Sequence, residues 1–256
     1  MRILLAFIKK EILEQVRTGK VIILGLLFVL FGIMNPAMAK LTPWLLEVMS
    51  ESLSDTGMTV TAVTVNSLAS WTQFFKNIPV ALAVFIFMQS ASFTKEFHSG
   101  TLILVLTKGV ARHTVVTAKA LVLFLGWSLG YWLCAAVTGA YTVYFWQDDS
   151  THHLLFALFA WWLFGLMVIA ACVFFSALCK ENAGVTIGAF AVWFGQYVFS
   201  FSTKLFASLP IALAEPSALL VGQKNATDCL VALLSGTLLF FAFWTLSYPF
   251  MNKKQL

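Results

Sequence analysis

Six stretches of about twenty residues, each almost free of Asp, Glu, Lys and Arg, decide what this chain can fold into: 21–39, 71–93, 120–146, 154–178, 183–202 and 229–250. An α-helix rises 1.5 Å per residue, so about twenty residues cross the ~30 Å hydrocarbon core of a bilayer. Inside lipid every backbone N–H and C=O must be satisfied within the segment, which leaves helices as the spanning form for runs of this length. Composition agrees, since only 11% of the residues are charged, against roughly a quarter in a soluble domain. The gaps between the runs are too short for a separate soluble domain, so residues 1–256 read as one membrane domain. The formal charge of +5 is then a matter of topology and not a nucleic-acid footprint.

Residues 1–18 are not a span. Leu5, Ile8, Ile12 and Val16 recur at helical spacing while Lys9, Lys10, Glu14 and Arg17 take the other side, the pattern of an amphipathic helix lying in the headgroup layer. A signal peptide fits poorly, because the apolar run from Val21 outlasts a typical h-region. Residues 40–70 form a polar, mildly acidic stretch, and 147–153 a short acidic turn. A very short loop at 179–182 joins the fourth and fifth runs. In the 203–228 segment an apolar run of half-span length is broken by Pro210 and followed by Glu215-Pro216, as in re-entrant or interfacial helices. Of the 16 Lys and Arg residues, 12 fall on the side of the N-terminus and 4 on the other. The positive-inside rule therefore puts both termini in the cytoplasm, as an even number of spans requires.

Candidate chemistry is sparse. No G-x-x-x-x-G-K-[ST] loop occurs, so nucleotide energy must come from a partner. Gly126-Trp-Ser128-Leu-Gly130 spells a hydrolase elbow, but it lies inside an apolar run with every His at a span end or in a loop. Its glycines, like Gly184 and Gly188, read better as a close helix-packing surface. Asp148, Asp149, His152 and His153 carry metal-ligand donors, though a solvated turn explains them as well, and no metal is assigned. The four cysteines lie in or beside apolar runs and read as small buried residues. In the fifth run Phe190, Phe194 and Tyr197 could border a path for an apolar or amphipathic substrate, or face lipid.

The most informative stretch is the charged segment 94–113, placed between the second and third spans, which still contains a short apolar run from Thr101 to Thr107. With Glu96-Phe-His-Ser-Gly100-Thr101-Leu102, Lys108 and Arg112 in that segment, the amphipathic start, six spans and the broken segment before the last one, the chain resembles the ABC type-2 permease family. The resemblance implies an all-α fold of six transmembrane helices with an N-terminal interfacial elbow helix and a re-entrant segment before the last span. It further implies a non-catalytic permease subunit of an ABC exporter in the cell membrane. Such a subunit pairs as a homodimer with a second permease copy and with two copies of a cytoplasmic ABC ATPase, which holds the ATP and Mg. On that pattern Glu96, Gly100, Thr101, Leu102, Lys108 and Arg112 would lie at the ATPase contact, Phe190, Phe194 and Tyr197 beside the substrate path, and Pro210 and Glu215 near an outer gate. Amphipathic peptides or hydrophobic compounds, as in peptide export or multidrug efflux, are the expected cargo. Two rivals stand beside this reading: an ATP-independent channel or ion-coupled carrier, which needs ionisable or helix-breaking residues deep in the spans, and a membrane-embedded hydrolase, which needs a His at the depth of Ser128.

Overall fold

The computed structural model describes residues 2–53, 65–98, 100, 107, 109–148, 150–199 and 206–253, and every regular element among them is helical. In chain order these are α1 (Arg2–Arg17), α2 (Lys20–Leu53), α3 (Ser67–His98), α4 (Arg112–Phe145), α5 (Leu154–Leu178) and α6 (Asn182–Phe199). A 3-10 turn at Pro210–Ala214, the single turn α7 (Ser217–Leu220) and a second 3-10 turn at Ala226–Cys229 then lead into α8 (Leu230–Lys253). Five helices are long and apolar enough to cross a membrane: Lys20–Leu45, Ser67–Glu96, Arg112–Phe145, Leu154–Leu178 and Ala226–Lys253. The expected fifth span is α6, whose 18 residues reach about 27 Å. It falls short of the other five because Asn182, Gln196 and three glycines dilute its apolar character. The chain is a multi-pass membrane protein.

Two boundaries differ from expectation. The stretch after residue 40 is helical as far as Leu53, because Leu41, Trp44, Leu45 and Val48 continue the i, i+3, i+4, i+7 spacing past the polar positions. The charged segment is likewise shortened from both ends: Lys95 and Glu96 belong to the last turns of α3, and Arg112 to Lys119 form the first two turns of α4. The apolar half-span before α8 is a series of short turns and no single helix. Ile211, Leu213, Leu219 and Leu220 of those turns are nevertheless buried, packed against α5 and α8.

α5 is the centre of the bundle and packs most extensively on α8 and then on α6. Its sequence is apolar on all sides, as a helix enclosed by others must be. Close approach to α4 depends on Gly165, where a Cβ would stand 2.5 Å from the buried ring of Trp127. On α4 Gly130 does the same for the ring of Phe28 from α2, so the packing reading of that glycine holds. Ser128 bonds back to Phe124 O at 2.7 Å and accepts Trp162 Nε1 at 3.0 Å, which makes it an inter-helix tie. Tyr131 OH reaches Leu158 O at 2.8 Å and Trp161 Nε1 reaches Ala214 O at 3.2 Å, joining α4 and the turns before α8 to α5.

α2, α3 and α4 share a buried polar seam. Asn35 donates to Thr138 Oγ1 at 3.2 Å and accepts from Asn77 Nδ2 at 2.9 Å, while Thr138 donates to Gly32 O at 3.1 Å. Such contacts hold helices in lipid, where apolar surface alone gives them no reason to associate. At the end opposite α1, the Asp148 carboxylate accepts Ser67 N at 3.1 Å and so caps α3. Its desolvation alone would push the carboxyl up, but hydrogen bonds from Ser150 and Ser67 outweigh this and hold it below the usual range.

Candidate functional site

Glu11 and Gln15 lie inward on α1, one and two turns after the buried Phe7. Leu5, Ile12 and Val16 of the same helix are exposed, as residues meeting acyl chains would be. α1 therefore has three faces: an apolar one, a charged one carrying Lys9 and Arg17, and a buried polar one against α4. Opposite Glu11 stands Lys119, two turns into α4, and Glu96 reaches in from the last turns of α3.

These side chains form an ionic network. Lys119 Nζ lies 2.9 Å from Glu11 Oε2 and 3.2 Å from Glu96 Oε2, and donates to Ser92 O at 3.1 Å. Lys10 Nζ bonds Glu11 Oε1 at 2.9 Å, approaches Glu14 Oε2 at 3.4 Å and donates to Glu96 Oε1. The Lys119 side chain is 4% exposed, Glu11 5% and Glu96 11%, so water replaces few of these contacts. A buried charge is tolerated only when paired, and here each buried carboxylate touches two ammonium groups. Partial burial pulls the Lys10 ammonium down, but its bonds to Glu96 and Glu11 dominate and raise it, so it stays cationic. Carboxylate oxygens of Glu11, Glu14 and Glu96 lie within 4.8 Å of one another, as metal ligands would. The two lysines supply the positive charge that a cation would otherwise bring.

One turn deeper, Gln15 and Gln89 exchange amide hydrogen bonds at 2.9 and 3.3 Å, and Gln15 and Lys20 both donate to Ser92 Oγ at 3.3 Å. The network thus cements α1 and the foot of α2 to both helices flanking the charged segment. Arg112 adds a fifth element, donating to the carbonyls of Met251 and Asn252 at 3.0 and 3.2 Å, at the end of α8. There it complements the negative pole of the helix.

Of the residues expected at the coupling segment, Glu96 is inside the network and Arg112 on α8, while Gly100 adopts φ 66°. Thr101, Leu102 and Lys108 lie outside the described residues. On α6, Phe190, Phe194 and Tyr197 form a ladder with centroid spacings of 5.9 and 6.5 Å, continued onto α3 by Phe87 at 5.2 Å. Phe194 and Tyr197 are 57% and 38% exposed, so this ladder borders the outside of the chain and no internal cavity. Pro210 is buried, and Glu215 lines a pocket of about 230 Å3 with Lys224 and Asp228 at the opposite end of the molecule. The expected site residues among those described therefore fall into two regions, Glu96 and Arg112 at the α1 end and, at the other, the ladder, whose Tyr197 lies within electrostatic reach of Glu215, together with Pro210. Glu11, Gln15, Gln89 and Lys119 had no place among them. The signal for the first two was their spacing of four, in line with Phe7.

Residues 5–230 match the family described as ABC-2 family transporter protein. No curated protein matches the chain.

Proposed function

The chain belongs to the ABC-2 family of transporter proteins, and on that premise we propose that it is the permease subunit of an ATP-driven exporter. It is a membrane transport component. In this reading α6 completes six spans, both termini and the 94–113 segment face the cytoplasm, and α1 is the elbow helix in the headgroup layer. The turns between residues 203 and 228 form the re-entrant outer segment.

One observation carries the reading: the Glu11–Lys119–Glu96–Lys10 network binds α1 to both roots of the charged segment. A segment whose two roots are fastened together and to a third helix moves as a body when pushed, and does not bend locally. That is the mechanical need of a cytoplasmic ABC ATPase dimer that hydrolyses Mg-bound ATP below the membrane and transmits its closure upward. Glu96, Gly100, Thr101, Leu102, Lys108 and Arg112 belong to this coupling unit, Glu96 and Arg112 as its internal fastenings. The exposed ladder of Phe190, Phe194 and Tyr197 supports a homodimer, in which a second copy closes a path that a single chain leaves open. Its aromatic surface suits amphipathic peptides or hydrophobic compounds, with Pro210 and Glu215 at the outer exit.

The test is co-purification with a cytoplasmic ABC ATPase subunit. Lys95 and His113 are exposed at the two roots of the segment, and Lys224 is exposed at the opposite end. Wild type and Lys224→Glu are expected to retain the ATPase, and Lys95→Glu/His113→Glu to lose it. Absence of any ATPase, or equal retention by all three, would sink the reading and restore the channel or ion-coupled carrier.

A further inference from the structure

Between α1, α2 and α4 runs an apolar groove of about 370 Å3, walled by Val16, Leu24, Gly25, Phe28, Gly126 and Leu129. Along α4 it extends from Val122 to Leu133, which at 1.5 Å per residue is about 16 Å. That is roughly half of the ~30 Å hydrocarbon core, the depth of one leaflet. Two features keep it open. A Cβ at Gly25 would meet nothing within 4 Å, and at Gly126 only the Phe85 ring at 3.6 Å.

The head of the groove is polar and positive. Gln15 and Gln89 line it, and Lys20 stands beside them through their shared partner Ser92. Lys20 is half-buried yet makes no ion pair among the described residues, its ammonium donating to Ser92 Oγ at 3.3 Å. Arg17 is exposed across the Gly19 turn. Glu14, one turn before Arg17, is drawn to Lys10 at 3.4 Å. Glu14 and Glu11 attract this half-buried ammonium only from beyond contact while Lys95 and Lys119 repel it, so at the top of an apolar channel it still has room for an anion in direct contact. By contrast, Lys40 beside the groove at the other end of α2 and α4 has its partner, the Phe145 ring at 4.0 Å.

We propose that this groove holds one acyl chain of an anionic phospholipid, drawn from the leaflet in which α1 lies, with the phosphate at Lys20. The length of the groove sets the leaflet, its walls the chain, and the unpaired Lys20 the charge of the headgroup. A bound lipid then fills the space beneath α1 and wedges the elbow helix against the ionic network. The inference rests on the reading of α1 as a headgroup-layer helix.

Native mass spectrometry of the full chain in detergent, titrated with phosphatidylglycerol or phosphatidylcholine of the same chains and without any ATPase, tests it. Wild type is expected to retain one phosphatidylglycerol in preference to phosphatidylcholine. Lys20→Met should lose that preference by roughly fivefold, the worth of one cation near an anionic surface, while still binding a chain. Gly25→Leu, which fills the groove where space is free, should lose both lipids. Equal binding of the two lipids by wild type overturns the proposal, as does undiminished binding by Gly25→Leu. Loss of a two-copy complex in Gly25→Leu with no lipid preference in wild type would assign the groove to a second copy and also overturn it. Because no ATPase takes part, a negative result leaves the permease reading intact, and a missing ATPase leaves the lipid result intact.

Discussion

Replacing Lys119 by Met keeps the length and apolar stem of the side chain and removes only its ammonium, so the consequence is electrostatic. Among the described residues Glu11 and Glu96 then share Lys10, which is already within 2.9 Å of Glu11. Removing one partner from a buried ion pair typically costs about 3–5 kcal/mol. The protein has one escape, which is to protonate a glutamate. From an ordinary carboxyl value of about 4.3 that costs about 3.7 kcal/mol at pH 7 and about 1.6 kcal/mol at pH 5.5. The loss is thus capped near 3.7 kcal/mol at pH 7, and the cap falls with pH. A proton taken up in the folded state stabilises below the unfolded value and is lost as pH rises, so the variant should approach wild type in acid and diverge from it in base. For a chain of this size 1 kcal/mol moves Tm by about 2–4 °C, which predicts a drop of roughly 7–15 °C at pH 7 and less than half of that at pH 5.5. Thermal unfolding of purified protein at the two pH values, with the exposed Lys9→Met as a control expected within ~0.5 kcal/mol of wild type, is the assay. A Lys119→Met drop no larger than the control's, or one of equal size at both pH values, would refute the buried-network account.

Gly165→Ala should cost about 1–2 kcal/mol, since its Cβ meets the immobile Trp127 ring at 2.5 Å and overpacking outweighs the gain in helix propensity. Gly195→Ala, with nothing within 4 Å, should be neutral or stabilising by up to ~1 kcal/mol in the same melts. Asn35→Leu removes the bonds to Thr138 and Asn77 and should cost about 0.6–1.7 kcal/mol, the span measured for polar contacts in lipid. The Asp148 carboxyl is held low, so its cap on Ser67 is fully present above the ordinary carboxyl range and lost as pH falls through the depressed value. Stability of Asp148→Asn measured from pH 6 downward should therefore lack that component of the acid loss, and an acid profile identical to wild type would exclude the cap.

The helices were legible because lipid imposes one rule on all of them: a run such as 154–178 with no charge can do little but span. Where a second cause acts, reading by hydropathy goes astray. Residues 41–53 are less apolar than the span before them yet helical, since Leu41, Trp44, Leu45 and Val48 keep the period while Glu47 and Glu51 lower the mean. α6 carries its polar residues at one end and at Gln196, which blurs a helix that is otherwise continuous with the pattern. The candidate site was half visible. Glu96 and Arg112 stood out as charges between apolar runs, but a sequence cannot say that Lys119 meets Glu96, 23 positions back, and Glu11, 108 positions back. Glu11 was hidden for a further reason, since the exposed apolar stripe of α1 invites a two-faced reading of a helix that has three faces.

The two ends of the bundle are fastened by different chemistry, and the difference bears on transport. At the α1 end five elements are tied by charge-assisted side-chain bonds: α1, the foot of α2, α3, α4 and the end of α8. At the opposite end the Asp148 carboxylate caps α3, but the turns between Pro210 and Leu220 are held by neutral bonds, as in His152 N to Leu220 O at 3.0 Å and Trp161 Nε1 to Ala214 O at 3.2 Å. Charge-assisted bonds in a buried setting are roughly twice as strong as neutral ones, so a displacement applied at the α1 end is passed on before it is absorbed. On the permease reading proposed above, these turns, held by weaker bonds around buried Ile211 and Leu213, would yield first. A stiff foot and a compliant crown are what a rigid-body push needs if it is to open the far side of the molecule and leave its own point of application undistorted.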